Sequence, residues 1–385
     1  MRYFVWSLLL YVSIVVQGQV PNVQQLLKDT RPAIIRRAQW ALQQAPQTIT
    51  SFRCERSAGG LHDFYSEGDY WWPDPAHPDS PYIQRDGQTN PDNFVAHRQV
   101  MIRFSRIMGA LAAGYVATRD NIYLQHALLH ARAWLEDPIT HMNPSLLYAQ
   151  AIKGRATGRG IGIIDTIQLM EVVQALRIME AAGAIPDRDL QAFKNWFREY
   201  LQWLTTHPYG KDEMNAANNH GTCWVMQVAA FARFTGDQPL LTFCSERYKT
   251  VLLPMQMAEN GSFPRELKRT KPYGYSLFNL DAMSTICQLL STTGNNLWQY
   301  TTDKGCNIVK GIAFLFPYVK NKQTWPYAQD VMYWHNWPVA QPFLVFGAAA
   351  LHQAEYYRLW LSLDQDPATE EVIRNLPVRN PVIWF

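Results

Sequence analysis

The sequence predicts an all-α protein built as one large domain of repeated helix–turn–helix pairs. Three observations predict it. Apolar residues recur at helical spacing through most of the chain, as in Val100, Met101, Phe104, Ile107, Met108 and Leu111. Turn-forming clusters begin near residues 118, 182, 235 and 293, spaced by 53 to 64 residues. No segment sustains the apolar–polar alternation of a strand, and no linker-like stretch divides the chain.

Taken in order, the chain opens on Arg2 and the apolar run "YFVWSLLLYVSIVV", followed by small Gly18. That pattern predicts a secretory signal peptide over residues 1–18 and a single domain over 19–385, in a periplasmic or secreted protein. The run is shorter than the roughly 20 residues a spanning helix needs, and an uncleaved anchor is the alternative. No other segment reads as a membrane span. Residues 51–95 follow, with prolines at 73, 75, 78, 81 and 91 that forbid a regular helix. Helices are expected at 98–117 and 121–135 around the turn "ATRDN", then from 164 to 182 and on to about 205 around "AGAIPDRD". The next pair spans 222–234 and a helix to about 250 around "TGDQ". Residues 254–278 read as a second long irregular segment. A helix at 279–291, the turn "TTGNN", more helix, and a last helix at 341–362 complete the chain. Loops this long in a compact domain usually carry function.

Composition narrows the chemistry. Apolar residues make up 48% and charged residues 17%, which supports a large core. The formal charge is only +3, so a nucleic-acid partner is not expected and an anionic ligand would need a local cationic cluster. The five cysteines lack metal-site spacing, and most are expected to be buried as small hydrophobes. Phosphate loops, dinucleotide fingerprints, nucleophile elbows and zinc-protease motifs are absent.

Three clusters remain. In "NAANNHGTCW", Asn218, Asn219 and His220 stand just before an expected helix, where free N–H groups and side-chain donors would converge on a carboxylate. The structural alternative is an elaborate helix cap with a packed histidine. In "PRELKRTKPYGYS", Arg265, Lys268, Arg269 and Lys271 accompany Tyr273 and Tyr275. A solvated basic loop is the plain reading, but an arginine beside a tyrosine favours the phenolate and brings its pKa toward the working range. In "EGDYWWPDP", Tyr70, Trp71 and Trp72 offer a sugar-stacking platform, or a loop pinned to the core by indoles.

Together with "RDGQTNP", "ENGSFPRELKRT" and "YSLFNL", these stretches make the chain resemble the alginate-lyase superfamily of polysaccharide lyases. It is most similar to polysaccharide lyase family thirty-eight and more distantly to family five. Family five carries NNHS where this chain has Asn218, Asn219, His220 and Gly221, and places its arginine seven residues before the tyrosine. Here Arg269 precedes Tyr275 by six, which leaves Tyr273 as an alternative.

The resemblance implies an (α/α) toroid, an incomplete barrel of helical hairpins with long active-site loops. It implies β-elimination on an anionic uronate polysaccharide, alginate first and glucuronan second, with no cofactor or metal. Asn219, His220 and Arg269 would then neutralise the uronate carboxylate while Tyr275 serves as acid or base. His220 is the alternative base, and Glu213 supports a neighbour. Asn218, Arg265, Tyr273 and the aromatic trio would contact substrate. A glycoside hydrolase using two of Asp69, Asp74, Glu213, Glu266 and Asp330, and a non-catalytic glycan-binding protein, are the rival readings.

Overall fold

A computed structural model describes residues 20–77 and 79–385. The expected signal peptide lies outside the described residues. Among the described residues, fifteen α-helices follow in order: α1 Val23–Leu42, α2 Ala96–Thr118, α3 Ile122–Leu135, α4 Leu169–Ala181, α5 Asp187–Thr206, α6 Pro208–Met214, α7 Asn219–Thr235 and α8 Gln238–Arg247. The remainder are α9 Leu253–Gln256, α10 Pro264–Leu267, α11 Pro272–Leu290, α12 Ile308–Lys320, α13 Pro342–Leu351, α14 Ala354–Ser362 and α15 Glu370–Arg374.

The long helices form two layers. α2, α4, α7, α11 and α13 pack in that succession as an inner row, and α3, α5, α8, α12 and α14 return outside it. The inner helices are apolar nearly all round, as buried helices must be. α11 buries every residue from Pro272 to Cys287. α2 is long and apolar enough to cross a membrane by composition, but its apolar surface is spent on the core. An outer helix needs only one apolar stripe. α5 turns Phe193, Trp196, Phe197, Tyr200, Leu201 and Leu204 inward and leaves its other side wet. The row is an open (α/α) toroid, and the sequence-based expectation of that class holds.

The C-terminal tail packs against α1, α2 and α4. Buried Glu171 of α4 accepts from the Asn380 backbone and side-chain amides at 2.9 Å each, and from Trp384 Nε1 at 2.7 Å. Gln288 of α11 donates to the Trp384 carbonyl at 3.0 Å.

Several local expectations need correction. The 254–278 segment holds α9, α10 and the first turns of α11, because Pro272 suits a helix start rather than a loop. The last helix is two, broken at His352, which has φ 55°. The helix expected from 164 begins as a 3₁₀ segment over Gly160–Gln168. Four short strands also form. β1 Tyr65–Glu67 pairs in parallel with β4 Tyr148–Ala151, and β2 Trp71–Trp72 pairs antiparallel with β3 Ile83–Gln84. They are too short to show a period. All five cysteines are free thiols, four of them buried.

Glu171→Ala strands three buried donors and is expected to cost about 3 kcal/mol of unfolding free energy. Urea denaturation checks it. Glu171→Gln, which keeps an acceptor oxygen, should cost clearly less.

Candidate active site

The tyrosine helix is set by its first turn. Asp330 accepts from the backbone amides of Tyr273 and Gly274 at 2.9 Å each, so a carboxylate caps the positive end of α11. Residues two apart on a helix point about 200° apart. Tyr273 therefore enters the core and Tyr275 faces the cleft. Tyr273 is fully buried, donates to the Tyr318 carbonyl at 3.1 Å and packs edge-on against Trp325 and Trp334. Contrary to the expected substrate contact, Tyr273 does not line the cleft, and Tyr275 does.

Tyr275 donates to the Tyr70 hydroxyl at 2.8 Å. Arg269 donates to the Tyr275 hydroxyl at 3.3 Å, and its guanidinium lies 4.4 Å from the ring centroid. The same guanidinium grips Asp86 with Nε at 3.0 Å and Nη2 at 2.6 Å. Burial works against charge on Asp86, but this fork outweighs it and holds the carboxyl below its ordinary value. The effect on Tyr275 runs opposite to the sequence-based expectation. Burial and neighbouring Tyr70 push its phenol well above the ordinary value of 10, against the pull of Lys271 and Arg269. Desolvation outweighs the cations, so Tyr275 rests as a neutral phenol.

α7 begins at Asn219, three residues earlier than expected, so Asn219 and His220 lie in its first turn and Asn218 caps it, and its amides are already occupied. Glu266 of α10 accepts from Asn219 N at 2.7 Å and from Asn219 Nδ2 at 2.9 Å. The Asn218 side chain accepts from His220 N at 3.3 Å, and its carbonyl accepts from Gly221 N at 3.1 Å. A protein carboxylate thus sits where a ligand was expected to meet bare backbone. What remains for a guest is side chains: the second amide hydrogen of Asn219 and the His220 ring. His220 Nδ1 lies 2.8 Å from Glu213 Oε1. In the tautomer that donates from Nδ1 to this oxygen, Nε2 is left as an acceptor. Glu213 is buried behind the histidine, so it positions His220 rather than touching substrate.

Tyr70, Trp71, Asn219, His220, Arg269 and Tyr275 line one cleft. The three-ring platform does not form. Trp71 carries Arg155 and Arg159 at 5.3 and 5.7 Å from its centroid, while Trp72 turns away to bond the Gln88 carbonyl. Asn218 and exposed Arg265 line an adjoining groove that shares Arg269. The same cleft holds residues the sequence did not mark. Arg159 donates to the Gln150 carbonyl at 2.8 Å, and Gln150 has the uncommon φ of 49°. Glu371 and Arg374 arrive from α15. No local motif advertises any of these.

The carboxylates a hydrolase would need are committed elsewhere. Asp69 is paired with Arg98 at 2.9 Å and Arg374 at 2.8 Å, Glu213 with His220, Glu266 with Asn219, and Asp330 with a helix start. Asp74 accepts from Ala76 N in an exposed turn.

The alginate-lyase family profile matches residues 48–325. An alginate lyase from Bacteroides ovatus superposes with a TM-score of 0.81 at 29% identity, over 94% of this chain and 97% of its own. Alginate lyase A1-III from Sphingomonas species A1 gives 0.58 at 17% identity, over 96% and 99%. A histidine-to-alanine variant of alginate lyase A1-III complexed with a tetrasaccharide gives 0.61 at 16% identity, over 96% and 99%. No curated protein matches the chain.

Gly221, in place of the family-five serine, has a steric cause. A Cβ there would stand 2.2 Å from the Ala216 carbonyl oxygen. Gly221→Ser is therefore expected to displace the turn that seats Asn219 and His220. It should lower kcat at least tenfold with secondary structure retained, as read by steady-state kinetics and circular dichroism.

Proposed function

The chain belongs to the alginate-lyase family and is a polysaccharide lyase, and from that premise we propose that it cleaves alginate by β-elimination, with Tyr275 as the proton carrier. The carrying observation is the meeting of the Tyr275 phenol with Arg269, Asn219 and His220 in one cleft. Removing the C5 proton of a uronate builds enolate-like charge on the adjacent carboxylate. The Asn219 amide and the Arg269 guanidinium are donors fixed in advance for that charge, and the His220 ring joins them when Nε2 also carries a proton. The C4–O4 bond then breaks, and O4 takes a proton from the Tyr275 hydroxyl.

The C5 base follows from the face on which the proton lies. Where the C5 proton and O4 share a face, Tyr275 works in both steps, first as phenolate and then as phenol. Where they lie on opposite faces, His220 Nε2 takes the proton and Tyr275 gives up its own. The second route has direct support in the resting geometry. Glu213 holds Nδ1, and burial keeps Tyr275 protonated. Alginate is favoured over other uronate polymers by the family match and by the structural relatives named above, each called an alginate lyase. A panel of uronate polymers assayed for ultraviolet-absorbing unsaturated ends tests the substrate. Turnover of glucuronan with alginate untouched would overturn that choice.

Tyr275→Phe is expected to abolish turnover and leave oligosaccharide binding close to wild type, since only the hydroxyl is lost. Tyr273→Phe should keep most of the activity. The reverse pattern would reassign the proton carrier.

Asn219→Ala and His220→Ala are each expected to lower kcat by about 10²–10³, with a smaller change in KM. A rise in KM alone would make these residues ground-state binders.

A further inference from the structure

The mechanism leaves unused a buried run of charges behind the two tyrosines. Lys271 is 3% exposed, and its ammonium pairs with Glu371. That ammonium lies 5.0 Å from the Tyr70 ring centroid, 5.1 Å from that of Tyr275 and 5.3 Å from that of Tyr333. The second Glu371 oxygen faces Arg374 Nη1 at 3.3 Å, and Arg374 holds Asp69 at 2.8 Å. Asp69 immediately precedes Tyr70 in the chain. The Lys271 carbonyl accepts from Tyr275 N at 3.0 Å. One network therefore grips both members of the hydroxyl pair. It reaches them through α15, in a part of the chain beyond the residues that match the family profile.

We propose that Lys271 and Glu371 are positioning residues that set the proton affinity of the Tyr70–Tyr275 hydroxyl pair, making the C-terminal segment a working part of the site. The proposal rests on Tyr275 being the proton carrier. Its physical basis is proximity under low hydration. A unit charge about 5 Å from a phenol in a shielded interior moves its proton equilibrium strongly, while the same charge in water would barely register. Burial and Tyr70 raise the Tyr275 phenol, and among the opposing cations Lys271 acts more strongly than Arg269. Arg269 has its charge answered by Asp86 at 2.6 Å.

The charged groups around Tyr275 are few enough to isolate the effect. Arg269, with Asp86 behind it, comes from the turn before α11, and Tyr70, with Asp69 behind it, precedes β2. Lys271 stands at the start of α11, and Glu371 and Arg374 come from α15. His220, backed by Glu213, lines the cleft from α7. Lys271 and Glu371 can each be neutralised while the other keeps a hydrogen-bond partner. Lys271→Met leaves Glu371 with Arg374, and Glu371→Gln keeps an acceptor for Lys271.

The signs are opposite. A nearby positive charge favours the phenolate, so Lys271→Met raises the proton affinity. The limb of the kcat/KM–pH profile that Tyr275 governs then moves up, by about one pH unit. Glu371→Gln leaves Lys271 uncompensated and moves the same limb down by a similar amount. The double variant restores the charge balance and returns the limb toward wild type. A merely structural role would lower rates without opposed shifts. Superimposable limbs in all three proteins, or single variants shifting in the same direction, would overturn the proposal. Tyr275→Phe run in parallel separates the two ideas. A dead Tyr275→Phe with unmoved limbs sinks only the role of Lys271 and Glu371. An active Tyr275→Phe sinks the proton-carrier reading itself.

Discussion

A charge taken out of water must find a partner, and in this protein that requirement ties distant segments together. Asp69 is 3% exposed and holds Arg98 from α2 and Arg374 from α15. Arg374 shares Glu371 with Lys271 at the start of α11. Leaving any of these groups single would cost several kcal/mol, on the order of 3–5 for a buried pair broken on one side. The aromatic loop, the tyrosine helix and the C-terminal helix are thereby held in one arrangement. The hydroxyl pair of Tyr70 and Tyr275 is a consequence of that arrangement.

The two helix starts at the cleft are treated alike. α11 points its positive end at Asp330, and α7 points its own at Glu266. Neither offers bare amides to a ligand. The helix dipoles are used to hold carboxylates of the protein, and those carboxylates hold the elements whose side chains face the cleft. Glu266 fixes Asn219 through two bonds, and Glu213 fixes the orientation of His220. A donor held this way does not need to reorganise when charge grows on a bound uronate.

The proposed acid–base group is tuned by opposition. Tyr275 sits near two cations yet remains a phenol, because its burial outweighs them. Under the proposed mechanism, a proton delivered to O4 is better stored on such a group than on a solvated one. The same burial brings Lys271 into effective range, since its field is not screened by water.

How much of this was legible depends on distance along the chain. Asn219 and His220 stood out because a helix start is a local event, marked by the amides and glycine around it. Arg269 and Tyr275 stood out because six residues keep them in one stretch. The helical-pair rhythm declared the fold class, since burying one helix against the next requires an apolar period in each. Tertiary structure decided what local pattern could not. Whether Tyr273 or Tyr275 faces the cleft depends on where α11 begins, and that depends on Asp330, 57 residues from Tyr273. Asp86 meets Arg269 across 183 residues, and Glu371 meets Lys271 across 100. The sequence determined by itself that the chain would form paired helices and carry an amide–histidine turn and a basic tyrosine stretch. Only the closed fold decided which of those side chains share a cleft, because pairing of buried charges is settled by which segments lie together in space.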